Sequence, residues 1–358
     1  MTISSSMTSA VNAMIFRART GPLSASFLFL LACISLLSSC THKDIDLSFA
    51  GQTMGTSYHI TVVTDAGRFP DGVEDEVAEL LTQLDHSMST YKADSELNNL
   101  NRLAVGEELS ISADLWQVLQ GAQHIHALTR GAFDPTVGPL VDLWGFGPRD
   151  TGDRIPSETE INALMSQVDL GKLRLGSDNK VSKLAEIDLD LSAIAKGYAA
   201  QQVAALLKMQ GFSNFLVEVG GELQLAGHNR KGTPWRIAIE VPSLLQGEVE
   251  KVIALSDIGV ATSGDYRNYF EREGVRYSHT IDPRTGKPIT HNLASVTVLA
   301  DTAGVADALA TAFMVMGAEK TLELAGQRDI PVYLLVKTAD GFQASHSAAF
   351  KSYLDGAE

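Results

Sequence analysis

The sequence predicts an α+β fold: a single compact mixed domain of largely antiparallel sheet with flanking helices. Three observations point there. Short β-branched and aromatic runs recur along most of the chain, separated by turn formers at hairpin spacing. Amphipathic helical stretches fall between groups of these runs instead of alternating with them, which argues against a doubly wound parallel sheet. No repeat, low-complexity tract or Pro/Gly/Ser-rich linker divides the chain after its N-terminal segment.

That N-terminal segment reads as a leader. Phe27 to Leu37 is an apolar run with Arg17 and Arg19 just upstream, and it is too short for a permanent span. Leu37-Ser38-Ser39-Cys40 resembles the lipobox of bacterial lipoproteins, which would leave Cys40 lipidated, palmitate included, as the first residue. The alternative is an ordinary signal peptide with Cys40 a bystander; Met14 is a plausible start. The expected organisation is a removed leader over 1–39, a lipidated tether over 40–50 and one domain over 51–350. The expected location is the periplasmic side of the bacterial envelope, lipid-anchored to the inner membrane, although Thr41 is not the aspartate that most clearly marks retention there.

The only other cysteine, Cys33, leaves with the leader, so the exported domain must hold its fold by packing alone. A formal net charge of −15 argues against nucleic acid as a partner. It also means that a phosphate-bearing ligand must be held by a cation, backbone amides or local lysines.

In chain order, Tyr58 to Thr64 reads as a strand, and Val73, Val77, Leu80, Leu81, Leu84 and Met88 keep a helical period from Asp71, with Glu74 at capping-box spacing. A second helix starts at Ser112, buries Leu115, Val118, Leu119, Ala122 and Ile125, and ends at Gly131; His124 and His126 are expected on its solvated face. Ala132 to Gly147, AFDPTVGPLVDLWGFG, reads as a long ordered loop of the kind that builds sites. A capped helix over Ser157 to Met165 precedes a hairpin from Lys172 to Leu184. Glu186, Asp188 and Asp190 alternate with Ile187, Leu189 and Leu191 as in a strand, which feeds a helix from Ser192 to Gln210. Further strands are expected at Phe215–Val219, Glu222–Ala226, Trp235–Val241, Lys251–Ser256, Val275–Thr280, Ala294–Ala300 and Pro331–Lys337.

The helix from Thr302 to Met316 carries a single charge, Asp307, between two apolar faces that include Val305, Leu309, Ala310 and Ala312. A carboxylate buried there must be protonated, ion-paired or metal-bound. Thr311 shares its face, and one carboxylate plus one hydroxyl is a hard donor set suited to Mg²⁺; a hydrogen bond to a neighbouring strand is the alternative. In DLDLSAIAKGYAA, Asp188 to Ala200, an acidic segment meets a small-residue helix start, where amides and Lys196 suit phosphate; close helix packing would use the same small residues. His279 in SHTIDPRTG stands before a turn made by Asp282, Pro283 and Gly286, and alone is more often structural. VEVGGEL and VATSGDY serve hairpins equally well.

Taken in order, TMGTSY, AFDPTVGPL, DLSAIAKGY, VEVGGEL, ATSGDY, SHTIDPRTG and ADALATAF resemble the ApbE family of FAD:protein FMN transferases, with an ApbE-like, T-fold-like architecture. The resemblance implies Mg²⁺-dependent transfer of FMN from FAD to a threonine hydroxyl of an envelope redox protein through a phosphoester, with AMP released. It implies metal ligands at the Ala193 carbonyl, Asp307 and Thr311, and FAD contacts at Met54, Tyr91, Ala132, Phe133, Asp134, Asp190, Lys196 and Ile281. His279 is the candidate for taking the acceptor proton, with Asp282 or a metal-bound hydroxide as alternatives, and Asp307 is catalytic through the metal. Gln201 and Thr280 depart from the family pattern, Thr280 beside the Ile281 wall. Two other functions share these residues: a pyrophosphatase splitting FAD into FMN and AMP, and a non-catalytic FAD-binding lipoprotein. A structural envelope lipoprotein would leave the buried Asp307 without a purpose.

Overall fold

Two nine-residue strands, β1 (Ile45–Thr53) and β2 (Thr56–Thr64), form the first hairpin of the computed structural model. It describes residues 44–147, 154–242, 248–265, 269–272 and 275–355; the leader and Cys40 lie outside them. Met54 and Gly55, at φ 48° and 72°, make the two-residue turn, whose left-handed residue conformations suit the right-handed twist of the strands it joins. The expected tether is therefore shortened, because β1 pairs with β2 from Ile45 onward. As an edge strand alternating between half-buried and exposed positions, it carries little apolar signal.

The hairpin begins an eight-stranded sheet, in order β1, β2, β6 (Phe215–Val219), β7 (Glu222–Ala226), β10 (Gly259–Gly264), β15 (Leu293–Ala300), β16 (Val332–Thr338) and β17 (Gly341–His346). Every pairing in it is antiparallel, as the hairpin spacing predicts. One face, with Ile60, Val217, Val296 and Leu334, packs in the same core as the helices α1 (Val73–Met88), α3 (Ala113–Leu128), α6 (Ala195–Met209) and α7 (Ala303–Met316). The other, with Leu225, Leu299 and Leu335, meets the hairpin β8 (Trp235–Glu240) and β9 (Val249–Leu255). Covered on both sides, β15 is an almost continuous apolar run without alternation.

Local chemistry departs from expectation at several points. Gly72, at φ 92°, starts α1 without a side-chain cap, and Asp71 pairs with Arg68. Ser112 caps α3 as expected, but the helix stops at Leu128, and Arg130 and Gly131 turn the chain at φ 52° and 79°. The loop that follows contains a 3₁₀ turn, Pro135–Val137, and a short helix α4 (Gly138–Leu143). The helix α5 (Glu158–Met165) has its full capping box from Ser157 and Glu160. A further helix, α8 (Ala318–Arg328), follows α7 and was not expected; Val305, placed on an apolar face, is 37% exposed.

Residues 186–191 are extended but form no ladder. Ile187, Leu189 and Leu191 are buried as the alternation requires, while the backbone is satisfied by a side chain. Asn101, at the end of α2 (Glu96–Asn101), donates its amide to the Leu189 carbonyl (3.0 Å) and accepts from the Leu189 N–H (2.8 Å). The buried Lys183 donates to the Asn101 carbonyl at 2.6 Å. Asn101→Ala would strand both Leu189 groups, at about 1–3 kcal/mol each if water does not replace them. A fall in melting temperature is the expected outcome; an unchanged melt would dismiss the staple.

Candidate active site

Helices α6 and α7 cross where glycine removes every obstacle. A Cβ on Gly197 would meet the Ala303 carbonyl oxygen at 2.2 Å and the Asp307 Cβ at 2.8 Å. Close packing therefore does explain the small residues of DLSAIAKGY. It does more, because the Gly197 N–H reaches across the crossing to Asp307 Oδ2 at 3.0 Å. That amide would otherwise close a turn onto the Ala193 carbonyl; Ala193 lines the cavity, residues 192–194 are a turn, and α6 begins only at Ala195. Lys196 is thus in the first helical turn, not the second.

Around this crossing lies a cavity of about 450 Å³. Tyr91, Ala132, Phe133, Asp134, Asp190, Ala193, Lys196, His279, Ile281, Asp307 and Thr311 all line it. Met54 lines an adjoining cavity of about 480 Å³ that shares Tyr91, Ser192 and Lys196 with the first. The sequence-derived site residues, Cys40 aside, therefore meet at one place. Tyr91 stands at its rim, 75% exposed.

The electrostatics centre on three groups. Asp307 is 3% exposed, and burial raises its carboxyl pKa against the pull of Lys196 and the Gly197 amide. Burial, and then the charge on Asp307, push the Glu222 carboxyl up to about 8 against the attraction of Lys196. For Lys196, burial would lower the pKa, but Asp307, Glu222 and Asp190 outweigh it and keep the ammonium charged. Its Nζ lies 3.2 Å from the Ser192 carbonyl and 3.6 Å from Glu222 Oε1.

The donor chemistry suits a hard divalent cation. Asp307 and Thr311 line the same wall, Thr311 Oγ1 lies 3.3 Å from Ser263 Oγ, and the buried Glu222 Oε2 has no hydrogen-bond partner among the described residues. Among the described residues no cluster of three His, Cys, Asp or Glu side chains could hold a metal by itself. The cavity wall instead offers one carboxylate, Asp307, and one hydroxyl, Thr311, with room for ligand oxygens.

The remaining side chains divide by role. Asp134 lines the cavity, but Oδ1 accepts from the Thr136 N–H (2.9 Å) and hydroxyl (2.5 Å), and Oδ2 from the Leu170 N–H (3.2 Å). It shapes the loop and offers no spare carboxylate. His126, expected in solvent, is half-buried with Nδ1 2.9 Å from the Phe133 carbonyl, and so fastens that loop to α3; His124 is exposed as expected. Asp190 Oδ1 accepts from the Ser192 N–H (2.8 Å) and hydroxyl (2.5 Å).

His279 lies against Phe146, ring centroids 6.3 Å apart and edge to face. Phe146 stacks on Phe270, and the Trp144 indole donates to the Gly286 carbonyl at 2.9 Å, so aromatic packing clamps SHTIDPRTG to the loop after Ala132. Burial raises the Asp265 carboxyl, which sits in the field of Arg276 and His279. Asp282 is doubly bound to Arg284, at 2.8 Å from Nε and from Nη2, and serves the turn. Sequence reasoning passed over Glu222, Ser263 and Phe146, because two sit in glycine-rich strand ends that hairpins use and one in a segment read as loop.

Comparison with known proteins agrees with this geometry. The profile of the ApbE family matches residues 54–334. The chain is 43% identical over 330 residues to the FAD:protein FMN transferase of Vibrio cholerae, covering 92% of this chain and 99% of that one. It is 39% identical over 319 residues to the Escherichia coli K12 protein of the same name, covering 88% and 91%. Solved structures of the flavin transferase ApbE from Vibrio cholerae and of the apo flavinyl transferase ApbE from Pseudomonas stutzeri superpose with TM-scores of 0.81 and 0.80. They are 43% and 40% identical, span 87% of this chain, and are covered over 100% and 97% of their own length. Matched over most of its length in sequence and in fold, the chain belongs to the ApbE family.

Proposed function

We propose that this protein is a transferase that moves FMN from FAD to a threonine hydroxyl of target proteins, releasing AMP. The observation that carries the reading is the convergence of Asp307, Thr311 and Lys196 with His279 in one cavity of ligand size. The family match supplies the flavin substrate. Two adjoining cavities that share Tyr91 and Lys196 suit a dinucleotide.

A bound Mg²⁺ would be held by Asp307, Thr311 and the Ala193 carbonyl, and would supply charge neutralisation on the pyrophosphate. The protein's own groups do the rest. Lys196 holds phosphate oxygens, while Phe133, Ile281 and Tyr91 offer apolar and aromatic surface to the flavin. The acceptor hydroxyl oxygen bonds to the flavin-side phosphorus, the bond from that phosphorus to the bridging oxygen breaks, and AMP leaves with the electron pair. His279 takes the hydroxyl proton. Because Asp282 is committed to Arg284, His279 is the better candidate of the two for that proton.

Residues 1–39 we read as a lipoprotein leader whose removal leaves an acylated Cys40, which would tether the domain on the periplasmic side of the inner membrane, near envelope redox acceptors.

The test is incubation of the leaderless protein with FAD, Mg²⁺ and a threonine-bearing acceptor domain, followed by denaturation. Flavin fluorescence migrating with the acceptor supports transfer, FMN and AMP without labelled protein indicates pyrophosphatase action, and unchanged FAD indicates a binder. His279→Ala should slow transfer by about 10²–10⁴-fold, the usual range for general acid–base catalysis, with FAD affinity retained. Normal rates with FAD bound would remove His279 from the mechanism.

A further inference from the structure

Glu222 enters the site as the first residue of β7, straight after the turn at Gly220 and Gly221, whose φ angles are 61° and 101°. The turn is built around Lys196: a Cβ on Gly220 would lie 2.9 Å from Lys196 Cδ and 2.8 Å from Thr56 Cγ2. Glu222 is 6% exposed and lines the cavity. Its Oε1 faces the Lys196 ammonium at 3.6 Å, an ion pair beyond hydrogen-bond length, while Oε2 is buried without a partner.

A buried acceptor left unpaired costs about 1–3 kcal/mol, and more when charged. The neighbouring hydroxyls do not relieve it: Thr262 is engaged with Thr297 at 2.9 Å and Ser263 lies 3.3 Å from Thr311. With no donor to Oε2 among the described residues, a ligand in the cavity can supply one. On a dinucleotide the phosphates only accept, so the donors beside them are sugar hydroxyls, ribityl on one side and ribose on the other.

We propose that Glu222 is a further binding residue of this site, steadying the Lys196 ammonium with one carboxyl oxygen and accepting a hydrogen bond from a ligand sugar hydroxyl with the other. The proposal rests on the reading of the cavity as a flavin dinucleotide site. It explains why an acid is tolerated beside a pyrophosphate: the lysine stands between their charges, and the acid reads a hydroxyl.

The test measures binding of FAD, FMN and ADP by fluorescence and calorimetry in EDTA, together with thermal melts, for the wild type, Glu222→Ala and Glu222→Gln. At about pH 9, above the value near 8 to which burial and Asp307 push the Glu222 carboxyl, Glu222→Ala should weaken FAD binding by about 10-fold or more, the worth of one hydrogen bond to a charged group. Glu222→Gln, which keeps an acceptor oxygen, should recover part of the loss. Unliganded Glu222→Gln, which keeps the shape of the side chain and an oxygen for Lys196, should melt close to the wild type, so that its binding loss is read apart from any loss of fold. Loss on FMN alone assigns the ribityl hydroxyls, and loss on ADP alone the ribose. Wild-type affinity of Glu222→Ala for FAD, unchanged affinity for both fragments, or a fall in melting temperature that accounts for the loss would overturn the proposal. A wild type that does not bind FAD would instead overturn the flavin reading.

Discussion

Asp307→Asn is expected to lower FMN transfer by about 10²–10³-fold while leaving the protein folded. The variant keeps an oxygen for the Gly197 N–H, now 3.0 Å from Asp307 Oδ2, so the α6–α7 crossing survives. What it loses is the negative charge that faces the proposed cation and Lys196. Two effects on stability oppose each other: burial disfavours the charged carboxyl, whereas Lys196 favours it. The melting temperature of the empty protein should accordingly move by only a few degrees. Melts with and without Mg²⁺ and FAD separate this from misfolding, because the shift produced by Mg²⁺ in the wild type should vanish in the variant. Full activity with unchanged Mg²⁺ dependence would remove Asp307 from the site.

Gly197→Ala is expected to act on the same place through the backbone. Its new methyl would lie 2.2 Å from the Ala303 carbonyl oxygen and 2.7 Å from the Ala303 carbonyl carbon, inside any tolerable contact. Main chain cannot rotate away as a side-chain tip can, so the helices must separate. Overpacking of this kind costs about 1–3 kcal/mol, which corresponds to a drop of several degrees in melting temperature for a domain of this size. Separation also pulls Asp307 from the Gly197 amide, so transfer should fall with stability. A helix-favouring alanine that raised the melting temperature would show that the crossing has room for a methyl group.

The fold class was legible because antiparallel strands joined by short turns, as β6 and β7 are, leave a local record, whereas the sheet order also needs the distant pairings β2–β6, β7–β10, β10–β15 and β15–β16. What was illegible lacked a local record. The strand β1 pairs through its main chain at a sheet edge with few buried side chains, and residues 186–191 have a strand's alternation while Asn101, far away in sequence, takes the ladder's place. In the site, Asp307 was visible as the lone charge of an apolar helix. Glu222 was not, since a glutamate after two glycines reads as a solvated hairpin until burial reveals it. His126 misled for the opposite reason: its helical position is outward, and only the loop folding back over it covers the ring.

The cavity walls come from Tyr91 near one end of the domain, Asp190 and Lys196 in its middle and Thr311 far along it. None of these segments can form its part of the wall alone, because α7 must first lie across α6 and β10 must first pair with β15. Dinucleotide affinity is consequently a late event in folding, as expected of a topology dominated by non-local pairing. An unfolded chain would be blind to flavin until almost its whole length had come together, and flavin would then lock in the finished state by mass action.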